Sequence, residues 1–138
     1  AAIGVAQISK LDKFLERKKR MGALYTEKLK GLSGLQLPLT KTNYANNIYW
    51  VFGLVLGEEV DFDAKEAIFR MENDGVGCRP FFYPMHQQPV LQSMGLFKGE
   101  SYPVSEKLYQ RGFYIPSGIA LSDDQIYRVV ETLIKILK

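Results

Sequence analysis

The sequence has 138 residues with a formal net charge of +3 at pH 7, which is long enough for one domain with a real core. Its 46% hydrophobic and 24% charged residues are ordinary for a globular protein, and no apolar run approaches the roughly 18 residues of a membrane span, so we expect a soluble, cytoplasmic protein. The single cysteine, Cys78, excludes an intrachain disulfide and, with only one histidine present, a zinc site built from these residue types.

Residues 2–32 have the apolar spacing of one long helix. Apolar side chains recur at three- and four-residue steps, and Gly31 and Gly34 mark the end of the pattern. Residues 1–30 carry eight lysines and arginines against three acids, which is either a solvated helical face or a phosphate-binding surface. The helix has no Ser, Thr, Asp or Asn cap at Ala1, so we expect that the chain was cut inside a larger protein.

The middle of the chain alternates strands and helices. Residues 35–39 are extended, and 48–56 are β-branched and aromatic on both faces, which predicts a well-buried strand. Asp63 and Glu66 predict a capped helix over 64–74, and residues 76–81 predict a second strand.

Residues 78–89 form the most unusual stretch. Three prolines remove backbone donors and fix φ, which predicts a stiff loop that carries three aromatic residues, a cation and the only histidine. Binding groups concentrate in such loops, although the segment could also be a structural corner. His86 could act as a general base or hydrogen-bond a substrate oxygen, and Arg79 could clamp an anion or tether the loop.

The C-terminal third completes the predicted fold. Residues 90–96 form a short helical turn, Pro103 opens a helix that stops at Gly112, and 113–115 form a third strand. Ser122 and Gln125 make a capping box for the last helix. We predict an α/β fold of the α+β type: a small, mainly antiparallel sheet of about three strands packed with a long N-terminal and a C-terminal helix.

Familiar catalytic motifs are absent from the sequence. Gly75-Val76-Gly77 lacks the third glycine of a phosphate-binding loop, and one histidine among many serines does not make a triad. Imine chemistry needs a lysine in a desolvated pocket, whereas the lysines here lie on charged helical faces, at chain ends or in polar loops.

Six segments together resemble the C-terminal part of DegT-type nucleotide-sugar aminotransferases, in the same order. They are residues 1–7, 11–12, 17–20, 79–86, 102–106 and 121–126. Within that family the likeness is to the GDP-perosamine synthases, which aminate C4 of a GDP-linked 4-keto-6-deoxy sugar. The resemblance implies an aspartate-aminotransferase-like fold, pyridoxal phosphate as cofactor, a homodimer, and glutamate as amino donor.

The same resemblance implies a division into parts. Residues 1–34 would be a connecting helix and 35–138 the small C-terminal domain, whereas the large cofactor domain and its Schiff-base lysine would lie before Ala1. This chain would then be inactive alone and would form one wall of the cleft, with His86 and Tyr83 as sugar or phosphate contacts and Arg79 as an anion contact or loop anchor. A non-catalytic ligand- or protein-binding module and a nucleic-acid binder remain open alternatives.

Overall fold

The computed structural model describes residues 1–138 and has a four-stranded sheet with helices against one face. No helix in it is both long and apolar enough to span a membrane. The elements in chain order are α1 (Ala2–Ile8), α2 (Leu11–Leu29), β1 (Leu35–Gln36), β2 (Phe52–Leu56), α3 (Ala64–Asn73), β3 (Arg79–Pro80), a 3-10 turn (Met85–Gln87), α4 (Pro89–Ser93), α5 (Pro103–Arg111), β4 (Gly112–Ile115) and α6 (Asp123–Ile136).

The sheet has the strand order β1-β2-β4-β3, and every neighbouring pair is antiparallel. This confirms the predicted α+β class with an antiparallel sheet, although the sheet has four strands and not about three. The additional strand is β1, where Leu35 pairs with Leu56 and Gln36 with Val55. The strand predicted over 76–81 is much shorter, because only Arg79 and Pro80 pair with β4.

Side-chain alternation gives the sheet two different faces. Phe52, Leu54 and Leu56 of β2 and Phe113 and Ile115 of β4 are completely or almost completely buried. They form one core with residues of α2, α3 and α6, which are Met21, Tyr25, Leu29, Ala67, Met71, Ile126, Val130 and Leu133. The opposite face, called the outer face below, carries Val51, Gly53, Val55, Tyr114 and Arg79, none of which is fully buried.

The predicted N-terminal caps of α3 and α6 are confirmed. Ser122 and Gln125 form the complete capping box of α6, with side chain and backbone bonded in both directions. Asp63 accepts a hydrogen bond from the backbone of Glu66 at 2.9 Å and so starts α3 as predicted. α5 runs from Pro103 and ends at Gly112, also as predicted.

Two predictions about the first half of the chain were wrong. The helix predicted over 2–32 is interrupted at Ser9 and Lys10, and its first part, α1, contains no buried residue. Because α1 has no core contacts, nothing in the chain compels it to continue the axis of α2. The strand predicted over 48–56 begins only at Phe52, and Trp50 is 74% exposed.

Tyr49 explains why the strand begins late. Its φ is +54°, a left-handed value that bulky residues seldom adopt, so the chain turns just before β2. The ring is buried, stacks on Phe52 with centroids 5.7 Å apart, and lies against Gly22 of α2. A Cβ at Gly22 would fall inside the Tyr49 ring, so glycine is required there by close approach.

We predict that Gly22→Ala lowers the free energy of unfolding by about 1–3 kcal/mol, the usual cost of overpacking a core contact. Alanine has the higher helix propensity, so the opposite sign is expected wherever space is free. Gly4→Ala is the matched control, because Gly4 lies in α1 with nothing within 4 Å of an added Cβ. Chemical denaturation measures both variants, and a Gly22→Ala protein at least as stable as the wild type would contradict the packing described here.

Candidate functional site

The outer face of the sheet contains an apolar recess of about 250 Å³. Five hydrophobic residues line it, namely Trp50, Val51, Phe81, Phe82 and Tyr114. The recess continues along the sheet to Arg79, which lines the adjoining depression together with Trp50, Val51 and Tyr114. The pairing explains this proximity, because Gly53, Tyr114 and Arg79 stand opposite one another in a single row across β2, β4 and β3.

Two glycines make room for one wall of the recess. The Phe81 backbone amide donates to the Gly112 carbonyl at 3.2 Å, which continues the pairing of β3 and β4 by one residue. The Phe81 ring then lies over both Gly53 and Gly112, and a Cβ at Gly53 would be 2.9 Å from its Cζ. The ring thus fills the space that two side chains would occupy.

The other wall is formed by Trp50, the only tryptophan in the sequence. Its carbonyl oxygen accepts a hydrogen bond from the Lys18 ammonium at 2.8 Å, and the same ammonium donates to the carbonyl of Ser117. The Ser117 hydroxyl accepts from the Phe52 amide at 2.8 Å. The backbone between Trp50 and Phe52 is therefore fixed, while the Trp50 side chain is left exposed.

Two cations stand near the recess without a carboxylate partner. Arg79 is exposed and its guanidinium makes no hydrogen bond or ion pair within the chain. Lys18 is bonded to carbonyl oxygens only, and burial lowers the pKa of its ammonium. An anion placed beside the recess would meet this positive charge without competing with an internal ion pair.

His86 lies elsewhere, against the first turn of α5. Only 6% of the residue is exposed, and its Nε2 is 2.8 Å from Oε1 of Glu106. Glu106 also accepts from the Tyr102 amide at 2.9 Å and from the Ser101 hydroxyl at 3.3 Å. The Tyr102 amide and then the His86 ring lower the pKa of the Glu106 carboxyl. The ionised carboxylate can only accept, so Nε2 carries a proton and donates it.

Tyr83 also packs against α5. Its ring meets Tyr109 edge to face with centroids 4.9 Å apart, and the residue is 41% exposed. Of the three residues singled out in the sequence, therefore, only Arg79 borders the recess, whereas Tyr83 and His86 contact α5. Their contact with a substrate stays a prediction.

Sequence reasoning missed Trp50, Phe82 and Tyr114 as site residues. Strict alternation from Phe52 puts Trp50 on the buried face, but the backbone bends at Trp50 and Val51, just after the left-handed Tyr49, so alternation does not hold there. The available signal was the glycine pair, since Gly53 and Gly112 interrupt two strands and glycine in a strand often marks a close approach by another group.

Comparison with known proteins assigns the family. The model of the DegT/DnrJ/EryC1/StrS aminotransferase family matches residues 1–134. The chain belongs to this family. GDP-perosamine synthase of Vibrio cholerae is 31% identical over 130 residues, which are 94% of this chain and 34% of that protein. GDP-perosamine synthase of Caulobacter vibrioides is 27% identical over 140 residues, which cover 99% and 36%.

A solved aminotransferase structure has the same fold. Helicobacter pylori PseC, an aminotransferase involved in the biosynthesis of pseudoaminic acid, superposes with a TM-score of 0.88 at 13% identity. The match covers 99% of this chain and 36% of PseC. The chain thus spans about a third of the length of the relatives it matches.

The lysines of this chain do not offer the Schiff-base amine that the pyridoxal phosphate expected from the resemblance requires. A Schiff base requires an amine held free in a pocket. Lys18 is the one lysine whose side chain is not exposed, and its ammonium is bonded to the carbonyls of Trp50 and Ser117. No lysine of this chain is therefore placed to form a Schiff base.

We predict that Glu106→Gln destabilises the protein at pH 7 and that the difference disappears in acid. A carboxyl whose pKa is lowered by folding stabilises the folded state above its unfolded pKa of about 4.3, and this stabilisation is lost as the pH falls through the lower folded value. Urea denaturation between about pH 7 and pH 3 measures the difference in the free energy of unfolding between the wild type and Glu106→Gln.

Glu131→Gln is the control for this experiment, because Glu131 is exposed on α6 and makes no hydrogen bond. The free energies of unfolding of Glu131→Gln and the wild type should differ little at every pH. If the difference in the free energy of unfolding between Glu106→Gln and the wild type is independent of pH, the charge of Glu106 does not stabilise the contact between His86 and α5.

Proposed function

We propose that this chain is the cleft-wall part of an enzyme that transfers an amino group from glutamate to a nucleotide-linked 4-keto-6-deoxy sugar, in the manner of a GDP-perosamine synthase. The observation that carries the proposal is the 31% identity with the Vibrio cholerae GDP-perosamine synthase over 94% of this chain. Family membership over residues 1–134 and the shared fold of PseC support it.

The chemistry would be divided between two parts of the protein. Pyridoxal phosphate supplies an electron sink for amino transfer, and the rest of the enzyme, beyond this chain, would hold it together with its lysine. The present residues would bind and orient the sugar nucleotide and exclude water from the cleft. Arg79 would contact an anionic group, and Tyr83 and His86 would contact the sugar or its phosphates.

The surface of the chain supports a position within a larger assembly. Ile3, Val5, Ile8 and Leu11 lie along the first two helices and are between 49% and 82% exposed. An apolar stripe of this kind is costly in water and is typically covered by protein. We propose that it packs against the remainder of the polypeptide, and that the enzyme is a cytoplasmic homodimer that acts in polysaccharide biosynthesis.

The experiment uses the full-length protein loaded with pyridoxal phosphate. It is incubated with glutamate and GDP-4-keto-6-deoxymannose, and 2-oxoglutarate and the aminated sugar nucleotide are measured by mass spectrometry and NMR. We expect equal amounts of both products, with the amino group at C4. The corresponding dTDP-linked sugar tests whether the nucleotide is discriminated.

One result would contradict the proposed activity and favour the non-catalytic alternative. A protein that holds its cofactor but releases no 2-oxoglutarate with any keto-sugar nucleotide would contradict the enzyme assignment. It would favour a non-catalytic ligand- or protein-binding module of the same fold.

A further inference from the structure

His86 is the buried polar residue of the proline-rich loop, and one of its ring nitrogens has no partner within the chain. Only 6% of the residue is exposed, and its Nε2 donates to Oε1 of Glu106 at 2.8 Å. The other ring nitrogen, Nδ1, makes no hydrogen bond. Because no side-chain nitrogen or oxygen is both sealed from solvent and unpaired, Nδ1 must reach the surface. A buried ring that keeps one polar atom open is suited to bind a ligand at that atom.

Several contacts hold the His86 ring in place. The residue stands on the 3-10 turn Met85–Gln87, and its carbonyl oxygen accepts a hydrogen bond from the side-chain amide of Gln92 at 3.2 Å. The Tyr102 ring packs against the imidazole with centroids 4.9 Å apart. None of these contacts distinguishes the two ring nitrogens. Only the bond to Glu106 does so, and it therefore sets which nitrogen carries the proton.

Glu106 is fixed by other bonds besides the one to His86. The same oxygen, Oε1, accepts from the Tyr102 backbone amide at 2.9 Å and from the Ser101 hydroxyl at 3.3 Å. The Tyr102 amide, followed by His86 and the Ser101 hydroxyl, lowers the pKa of the carboxyl, so it is ionised at neutral pH and has no proton to donate. In the neutral imidazole the proton then lies on Nε2, and Nδ1 keeps a lone pair that can only accept.

We propose that Glu106 is a positioning residue of the substrate site, which fixes the His86 ring so that Nδ1 accepts a hydrogen bond from a hydroxyl of the sugar. This inference rests on the proposed function and deepens it, because it selects the sugar over its phosphates as the group that His86 meets. Phosphate oxygens are acceptors and gain nothing from a lone pair, whereas a sugar hydroxyl can donate.

Nitrogen-15 NMR of the full-length protein, labelled at its histidines, tests where the proton lies. His86 is the only histidine of this chain, and its resonances are assigned by their loss in His86→Phe. We expect a protonated Nε2 and an unprotonated Nδ1 in the wild type, and a mixture of the two tautomers in Glu106→Ala. Glu106→Gln should keep most of the wild-type pattern, because its side-chain oxygen can still accept from Nε2.

Kinetics distinguish a positioning role from a merely structural one. Glu106→Ala should raise the KM for GDP-4-keto-6-deoxymannose about three- to tenfold, the range expected for one lost hydrogen bond. Single-turnover release of 2-oxoglutarate from glutamate, measured without sugar nucleotide, should stay within about twofold of the wild type, because no sugar is bound. Glu106→Gln should restore most of the KM.

A double variant tests whether Glu106 acts through His86. His86→Phe should raise the KM at least as much as Glu106→Ala, and the double variant should be no worse than His86→Phe alone. Glu131→Gln is the control, because Glu131 is an exposed carboxylate without a hydrogen bond. It should change neither the KM nor the His86 resonances. Thermal unfolding of each variant sets a temperature at which all of them are folded, and the comparison is made there.

The inference is wrong if Nδ1 of the resting enzyme carries the proton, or if Glu106→Ala changes the KM by less than about twofold. It is also wrong if Glu106→Ala slows the release of 2-oxoglutarate without sugar as strongly as it raises the KM. Effects on the KM that multiply in the double variant would overturn it too, because Glu106 would then act independently of His86. Any of these results with an active wild type overturns the inference alone, whereas a wild type that releases no 2-oxoglutarate overturns the proposed function as well.

Discussion

The contact between Gly22 of α2 and the ring of Tyr49 sets the geometry on which the candidate site depends. The buried ring stabilises a left-handed backbone that tyrosine otherwise avoids, at a cost of the order of 1–3 kcal/mol that the surrounding core must offset. The chain turns here and bends again at Trp50 and Val51, so β2 begins only at Phe52, and Trp50 is 74% exposed. The Lys18 ammonium, one turn earlier on α2, bonds to the carbonyl of Trp50 and holds the turned segment against the 116–118 loop. Core packing and the outer face are thus connected through one helix.

The two faces of the sheet differ in what covers them. One face is closed by α2, α3 and α6, and it contains the large buried side chains that stabilise the fold. The outer face is covered only by Phe81, which rests on Gly53 and Gly112, and it leaves aromatic surface and the unpaired Arg79 exposed. A small antiparallel sheet that is packed on one side and open on the other is suited to form the wall of a cleft whose remaining walls come from other parts of a protein.

Local signals in the sequence predicted where helices start. Features that depend on contacts between distant residues were not predicted. The capping box at Ser122 and the proline at 103 act within one turn, so the starts of α6 and α5 were predictable. The interruption at Ser9 follows from the absence of core contacts along α1, which an apolar pattern alone does not reveal. The proline-rich loop was correctly treated as unusual, but the partner of His86 is Glu106, twenty residues away, and only the fold brings them to 2.8 Å. Trp50 was expected to be buried because residues 48–56 are apolar on both faces and were predicted to form one uninterrupted strand.

We propose that this chain forms one wall of the sugar-nucleotide cleft of a DegT-family aminotransferase, and the account depends on that proposal. A crystal structure of the full-length protein with a GDP-linked sugar tests it most directly. The account predicts that the sugar nucleotide contacts this chain, with one of its anionic groups within hydrogen-bond distance of Arg79. A sugar nucleotide bound without any contact to this chain would contradict it.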